Sequence, residues 1–147
     1  MYLEEYTVGL EWKTEPVTIS REELLDFTMK YDPHPIHFDD EYAKNTRFKE
    51  IIAPGVLTYM AVWGPFMKLN PFGDELVAGK ATKMEWLRPV YAGDSLTGRF
   101  WVSKTTETSA TKGIVEIQIE IHNQEGAQVL SGYTEGVMQR RPTEPAE

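Results

Sequence analysis

The segment of the sequence best suited to chemistry is Tyr31-Asp32-Pro33-His34-Pro35-Ile36-His37, which places a carboxylate and an imidazole five residues apart. Its two prolines fix backbone torsions and restrict the residues before them, so the segment is predicted to be a stiff loop. Such a loop can hold Asp32 and His37 toward one point. Hydration of a carbon–carbon double bond needs polarised water and a delivered proton, and an Asp and a His sharing one water can supply both.

The same segment allows two other interpretations. Asp32 can cap a turn while His37 is an ordinary surface or core histidine. Alternatively, His34 and His37 can bind a metal ion together with Asp39 or Asp40, although the sequence has neither a cysteine nor an HExxH helix to support this. Acid–base chemistry, turn capping and metal binding therefore all remain open for this loop.

Gly55 is the third candidate residue, because it stands at the predicted start of an apolar helix. The first N–H groups of a helix lack intrahelical partners, and the helix dipole favours negative charge there. The carbonyl oxygen of an enoyl thioester gains negative charge when the double bond is attacked, so the Gly55 N–H is a candidate oxyanion donor. Pro54-Gly55 can equally be a simple turn before a helix.

Two short helices are predicted to hold the loop between them. Ser20, followed three residues later by Glu23, is a capping-box pattern that opens a helix ending near Tyr31. Asp39 or Asp40 can cap a second helix that ends near Asn45. The candidate loop therefore connects the end of one helix to the start of the next.

A buried helix and a long sheet account for most of the remaining chain. The run from Pro54 to Trp63 is apolar on every face, which requires that protein surround it. From Leu76 to Gln139, β-rich runs form a predicted antiparallel meander, with strict alternation over 115–122 and a hairpin turn at 123–126. The order predicts an α+β hot-dog fold, in which an antiparallel sheet wraps around a central helix. At helical spacing, the predicted core residues of that helix are Val56, Met60, Trp63 and Met67.

Length and charge limit the function classes. The 147 residues suit a single domain, residues 1–147, with a loose tail over 140–147. A net charge of −8 argues against binding to nucleic acid. A polyanionic cofactor can still bind where cations gather, and the candidates are Arg47, Lys49, Lys80, Lys83 and Arg88. The chain has no cysteine, so it has no disulfide, thiolate zinc site or cysteine nucleophile.

Location and assembly follow from simple features. The N-terminus lacks a basic segment followed by an apolar run, so we expect no signal peptide and a cytoplasmic protein. The apolar stretch from Ile51 to Met67 is broken by prolines and glycines, so we expect no membrane span. A single sheet leaves an open edge, and a homodimer or a higher homo-oligomer that hides this edge is the expected state.

Three groups of residues together resemble the MaoC-like hydratases, which include (R)-specific enoyl-CoA hydratases and related hydroxyacyl thioester dehydratases. They are the loop Asp32-x-His34-Pro35-Ile36-His37 with Ala43, the run 52–58, and Arg88-Pro89-Val90-x-x-Gly93-Asp94. The similarity covers about Ser20 to Gln139. In the family the loop reads Asp, any residue, Asn, Pro, an aliphatic residue and His.

The resemblance implies a hot-dog fold, an acyl-CoA or acyl-carrier-protein thioester as substrate, and no metal or redox cofactor. Asp32 and His37 would match the catalytic pair, and Gly55 the backbone donor to the thioester oxygen. This sequence departs from the pattern at His34, where the family usually has Asn, and at Trp63, where some members have a supporting hydroxyl. A thioesterase and a non-catalytic acyl-thioester-binding subunit are the alternative functions.

Overall fold

The computed structural model describes residues 1–143, and its elements surround one long helix. The helices are α1 (Arg21–Tyr31), α2 (Asp40–Lys44) and α3 (Gly55–Lys68), with 3₁₀ turns at Leu3–Glu5 and Pro35–His37. The strands are β1 (Glu11–Lys13), β2 (Val17–Thr18), β3 (Leu76–Trp86), β4 (Ser95–Glu107), β5 (Lys112–His122) and β6 (Gln128–Gln139). The six antiparallel strands and the helix α3 match the hot-dog fold predicted from the sequence.

The position of β3 differs from the predicted meander. The sheet order is β1-β4-β5-β6-β3, so β3 pairs with β6 at the far edge and does not pair with β4. The free side of β4 is occupied by β1 and β2, and β1 had no recognisable signal in the sequence. Residues 87–94, which we call the crossing segment, therefore run across the end of the sheet from β3 to β4.

The helix α3 packs against the sheet through a face that the sequence did not identify. Its buried apolar side chains are Leu57, Tyr59, Val62 and Phe66. The Phe66 ring stacks on Phe100 of β4, with ring centroids 3.7 Å apart. A Cβ on Gly98 would overlap Val62, so a glycine in β4 lets the helix approach the sheet closely.

The prediction that Val56 and Met60 belong to the core is wrong. Their side chains are 45% and 46% exposed, while Trp63 and Met67 are half-buried against the core. The physical reason is that a helix without a polar face carries no signal for which of its apolar faces meets the sheet. One apolar stripe of α3 is therefore open to solvent in the single chain.

The C-terminal segment is still bonded to the rest of the protein at residues 140 and 141, where a loose tail was predicted to begin. The Arg140 guanidinium lies 3.2 Å from carboxylates of both Glu4 and Glu107, and the Arg141 N–H donates to Glu4 at 2.9 Å. Arg140 and Arg141, which belong to the predicted loose tail, are thus bonded to Glu4 near the N-terminus and to Glu107 at the end of β4. The part of that tail at 144–147 lies outside the described residues.

No helix within residues 1–143 is both long and apolar enough to cross a membrane. The stretch around α3, from Ile51 to Met67, was the candidate for a membrane span because it is rich in apolar residues. From Gly55 onward this stretch belongs to a 14-residue helix packed on the sheet. The cytoplasmic location stays a prediction from the sequence.

Candidate active site

Both helices that flank the candidate loop begin and end where their capping residues predict. The Ser20 hydroxyl accepts a hydrogen bond from the Glu23 N–H at 3.1 Å, and α1 ends at Tyr31. Asp32 is the C-cap residue of α1, and its N–H donates to the Thr28 carbonyl at 2.9 Å. Asp39 caps α2, which ends before Asn45. The loop is thus held at both ends by ordinary helix capping.

The structure brings Asp32 and His37 into direct contact. The His37 Nε2 lies 3.3 Å from Asp32 Oδ2, and His37 Nδ1 lies 2.7 Å from the Ile52 carbonyl oxygen. A carbonyl only accepts hydrogen bonds, so Nδ1 carries a proton and donates it to Ile52. In the neutral ring, Nε2 then presents a lone pair to the carboxylate. Both groups can then accept hydrogen bonds from one donor, such as a water molecule, which is the arrangement that acid–base catalysis needs.

The two side chains differ in their access to solvent. The His37 side chain is only 12% exposed, whereas that of Asp32 is 50% exposed. The histidine is therefore fixed inside the wall and the carboxylate reaches the open space beside it. A water molecule or a substrate can approach the pair from the Asp32 side.

His34, the departure from the family pattern, has a clear local role. It is the N-cap residue of the 3₁₀ turn Pro35–His37, and its Nδ1 accepts a hydrogen bond from the Ile36 N–H at 3.1 Å. An asparagine side chain can accept the same bond. His34 therefore preserves the capping interaction that orients the loop.

The residues of the metal hypothesis have other partners. Nδ1 of His34 and Nδ1 of His37 bind backbone groups, and Asp39 Oδ1 accepts the Tyr42 N–H at 3.1 Å. Across the described part of the chain, no three His, Asp or Glu side chains are grouped to hold a metal ion. The local hydrogen bonds favour a structural role for His34 and Asp39.

Gly55 is the first residue of α3, as predicted. Pro54 precedes it and provides no side-chain cap, and the first N–H to bond back is that of Thr58, to the Pro54 carbonyl at 3.2 Å. The N–H groups before Thr58 in this first turn therefore have no helical acceptor. They provide hydrogen-bond donors and the positive end of the helix dipole.

Asp32, His37 and Gly55 line one cavity of about 610 Å³. Its remaining walls come from the loop after α2, the first turn of α3, the end of β3 and the crossing segment. Those other lining residues are Arg47, Phe48, Ile52, Ala53, Val56, Thr58, Trp86, Leu87, Arg88, Pro89, Val90 and Tyr91. The structure thus brings all three predicted site residues to one space.

Tyr91 fixes the crossing segment against the loop that follows α2. Its hydroxyl donates to the Phe48 carbonyl at 3.0 Å, and its N–H donates to Asp94 at 2.9 Å. Burial raises the pKa of the Tyr91 hydroxyl, and the negative charges of Glu50 and Asp94 raise it further. The hydroxyl therefore stays protonated at neutral pH and serves as a donor. No pattern in the sequence had indicated a role for Tyr91.

Two of the five candidate cations converge on the cavity. Arg47 and Arg88 line it, and within residues 1–143 no carboxylate lies within 4.0 Å of either guanidinium. Lys80 and Lys83 instead pair with carboxylates on the sheet, and Lys49 lines a neighbouring groove. The cavity therefore has two cationic side chains in its lining, in an otherwise acidic protein.

Trp63, the second departure from the family pattern, lies about two turns further along α3 than the cavity-lining Val56. It stacks on Tyr59 with ring centroids 5.4 Å apart, and it does not line the cavity. The hydroxyl on α3 that does line the cavity belongs to Thr58, whose residue is 2% exposed. The change at Trp63 therefore leaves the walls of this cavity intact.

The capping role of His34 gives the first testable prediction. Replacing His34 by Ala removes the acceptor for the Ile36 N–H and should lower the free energy of unfolding by about 1 kcal/mol. Replacing His34 by Asn should restore most of that loss, because the amide oxygen can accept the same bond. Urea unfolding of the wild type and both variants measures the difference. Equal stability of the Ala and Asn variants would show that the His34 cap does not hold the loop.

Comparison with known proteins agrees with the fold. Residues 5–124 match the family described as MaoC like domain. The chain is 29% identical over 133 residues to the uncharacterized protein YdeM of Bacillus subtilis, covering 90% of this chain and 94% of that protein.

Two solved structures extend this similarity. The monoamine oxidase regulatory protein from Archaeoglobus fulgius is 26% identical with a TM-score of 0.92, covering 97% of this chain and 96% of that one. The unliganded (R)-hydratase PhaJ1 from Pseudomonas aeruginosa is 27% identical with a TM-score of 0.75, covering 99% and 92%. With the family match spanning most of its length, the chain belongs to the MaoC-like domain family.

Proposed function

We propose that this protein is a hydro-lyase that adds water to, or removes it from, the 2,3 position of an acyl thioester. The observation that carries the proposal is the contact between Asp32 and His37 on the wall of the cavity that also holds the start of α3. The similarity to an (R)-hydratase, at 27% identity over nearly the whole chain, supports the same reaction class. Asp32, His37 and Gly55 are the proposed catalytic residues.

The proposed reaction uses the positive end of α3 first. The thioester oxygen accepts a hydrogen bond from the Gly55 N–H, which stabilises the negative charge that develops there. A water molecule bound beside Asp32 and His37, on the open side of their contact, loses a proton to the pair as its oxygen bonds to C3 of the enoyl group. The pair returns a proton to C2, so the sum is addition of one water. The two groups act as one coupled acid–base unit.

This chemistry transfers protons and forms a carbon–oxygen bond without a net change in the number of electrons. We therefore propose that it needs no redox cofactor, and that the Asp32–His37 pair and the Gly55 N–H take the roles that a metal ion would otherwise fill. CoA or a carrier protein enters only as the part of the substrate that bears the thioester. Dehydration is the same sequence of steps in reverse.

Removing either member of the pair should abolish most of the activity. Asp32→Asn keeps the shape and loses the charge, and His37→Ala loses the proton carrier, so each should lower kcat for trans-2-butenoyl-CoA by roughly 10²–10⁴-fold. The rate is measured from the fall in absorbance of the conjugated enoyl thioester. His122→Ala is the matched control, because His122 lies at the end of β5 and lines a different groove.

Melting curves for all three variants separate loss of chemistry from loss of fold. Unchanged rates in both Asp32→Asn and His37→Ala would contradict the proposed mechanism. A thiol-reactive dye distinguishes the thioesterase alternative, since hydrolysis releases free CoA and hydration does not. Binding of acyl-CoA without turnover, until a second protein is added, would indicate a non-catalytic subunit.

Arg47 and Arg88 support a substrate that carries phosphate groups. Guanidinium groups bind phosphate oxygens through charge-assisted hydrogen bonds, and neither side chain has a nearby carboxylate within residues 1–143. CoA and the phosphopantetheine arm of a carrier protein both bring phosphates to the mouth of such a cavity. We propose that these arginines hold that part of the thioester.

Replacing Arg47 and Arg88 by Ala should therefore raise KM for butenoyl-CoA, on the order of tenfold for each lost charge-assisted interaction. KM for the N-acetylcysteamine thioester of the same acid, which has no phosphate, should not change. Lys104→Ala, an exposed cation on β4 outside the cavity, is the control. An equal rise in KM for both substrates would contradict phosphate recognition.

We also propose that two copies pair through β3. This strand bonds to β6 on one side only, and every residue of it except Met84 is exposed. A second copy related by a two-fold axis presents the same strand in the antiparallel direction, which continues the ladder and hides the edge. In such a pair, residues near the middle of β3 face their own counterparts.

Ala81→Lys should therefore convert a dimer to a monomer, because two lysines placed opposite each other repel. Within one chain the new lysine lies across from Glu135, so the fold itself should tolerate the change. Sedimentation velocity measures the mass. Val8→Lys, at the opposite edge of the sheet, is the control. A mass unaffected by Ala81→Lys, or a monomer produced by Val8→Lys, would contradict pairing through β3.

A further inference from the structure

Trp86 is a large aromatic residue that the proposed reaction does not use. It is the last residue of β3, and its side chain is 54% exposed. In the β3–β6 register it lies opposite Leu130, which is fully buried, and side chains directly opposite in an antiparallel pair lie on the same face. The indole therefore lies on the face of the sheet that carries α3.

The indole is pressed against the first residue of α3. A Cβ on Gly55 would overlap Cε2 and Nε1 of Trp86. The φ of Gly55 is not positive, so its backbone conformation does not itself require glycine. Glycine is needed at this position because the edge of the Trp86 ring occupies the space of a side chain.

The same indole forms part of the cavity wall. Trp86 lines the cavity together with Asp32 and His37, beside the N–H groups that open α3. A substrate whose thioester oxygen reaches Gly55 therefore lies beside the ring. Apolar and aromatic walls with a few polar groups are typical of small-molecule sites, and a half-exposed tryptophan in such a wall is a natural ligand contact.

We propose that Trp86 is a specificity-determining residue that limits the size of the acyl group. This inference rests on the proposed function, because it assumes that an acyl thioester occupies the cavity. The bicyclic ring fills space that a smaller side chain leaves open, so its removal lengthens or widens the acyl site. Short acyl groups then lose contact area, and longer ones gain room.

The test compares two substrates in the full-length protein, trans-2-butenoyl-CoA and trans-2-decenoyl-CoA. Trp86→Ala should raise the ratio of kcat/KM for decenoyl to that for butenoyl by about tenfold or more, mainly through KM. Trp86→Leu, smaller than tryptophan and still apolar, should shift the ratio in the same direction. Trp86→Phe, which keeps a ring, should restore a value near that of the wild type.

Trp101→Phe is the matched control. Trp101 lies on β4 under the Arg99 guanidinium, outside the cavity, so this variant should keep the wild-type ratio. An unchanged ratio in folded Trp86→Ala and Trp86→Leu would overturn the inference. A fall of equal size for both substrates would also overturn it, because that result indicates a general structural role.

Binding of saturated thioesters separates this inference from the proposed reaction. Calorimetry with butyryl-CoA and decanoyl-CoA reports acyl size preference without turnover. If the wild type binds both but converts neither enoyl substrate, the hydro-lyase proposal fails, and a shift in the Kd ratio for Trp86→Ala still supports the role of Trp86. If the wild type binds neither thioester, both proposals are overturned.

Discussion

The contact on which the site depends is the clamp that Ile52 makes on the Asp32–His37 loop. Its carbonyl accepts the His37 Nδ1 proton at 2.7 Å, and its N–H donates to the Ile36 carbonyl at 3.1 Å. The first bond fixes the tautomer and turns Nε2 toward Asp32. The second fixes the loop backbone that carries the ring. Without these two bonds, the Asp32 carboxylate and the His37 imidazole would not be held facing each other.

The clamp also joins the loop to the other walls of the cavity. Ile52 forms an isolated antiparallel bridge with Tyr91, and the Ala53 N–H donates to the Val90 carbonyl at 2.7 Å. Two residues later, α3 begins at Gly55. Three chain segments that are distant in sequence, the loop at 36–37, residues 52–55 with the start of α3, and the crossing segment, therefore meet around residues 52–55. The side chains of the proposed catalytic residues are therefore positioned mainly by backbone hydrogen bonds.

The sequence could predict those features of the fold and of the site whose signals lie within a few neighbouring residues. Caps at Ser20 and Asp39 marked the two flanking helices, and Pro54-Gly55 marked the start of α3, because each of these signals acts within one helical turn. The residues of the proposed catalytic pair were identifiable for the same reason. Their contact at 3.3 Å was not, because it depends on a bond from the His37 ring to the backbone carbonyl of residue 52, which a residue of any type can provide.

The errors came from pairing between distant segments. The place of β3 beyond β6 follows from the occupation of β4 by β1 and β2, which no spacing within β3 reveals. The sequence could not show that Val56 and Met60 are exposed, because α3 is uniformly apolar. The sequence could not reveal the contact between Trp86 and Gly55, because a glycine does not indicate which neighbouring side chain occupies the place of its absent Cβ.

Isotope transfer from solvent is the most direct measurement of the central claim. The protein is incubated with trans-2-butenoyl-CoA in ¹⁸O-labelled water or in D₂O, and the products are analysed by mass spectrometry. Hydration by the proposed mechanism should give an intact thioester with one ¹⁸O in a hydroxyl group at C3, or with one deuterium at C2 in D₂O. Label in a free carboxylic acid together with released CoA, or recovery of unlabelled substrate alone, would contradict it.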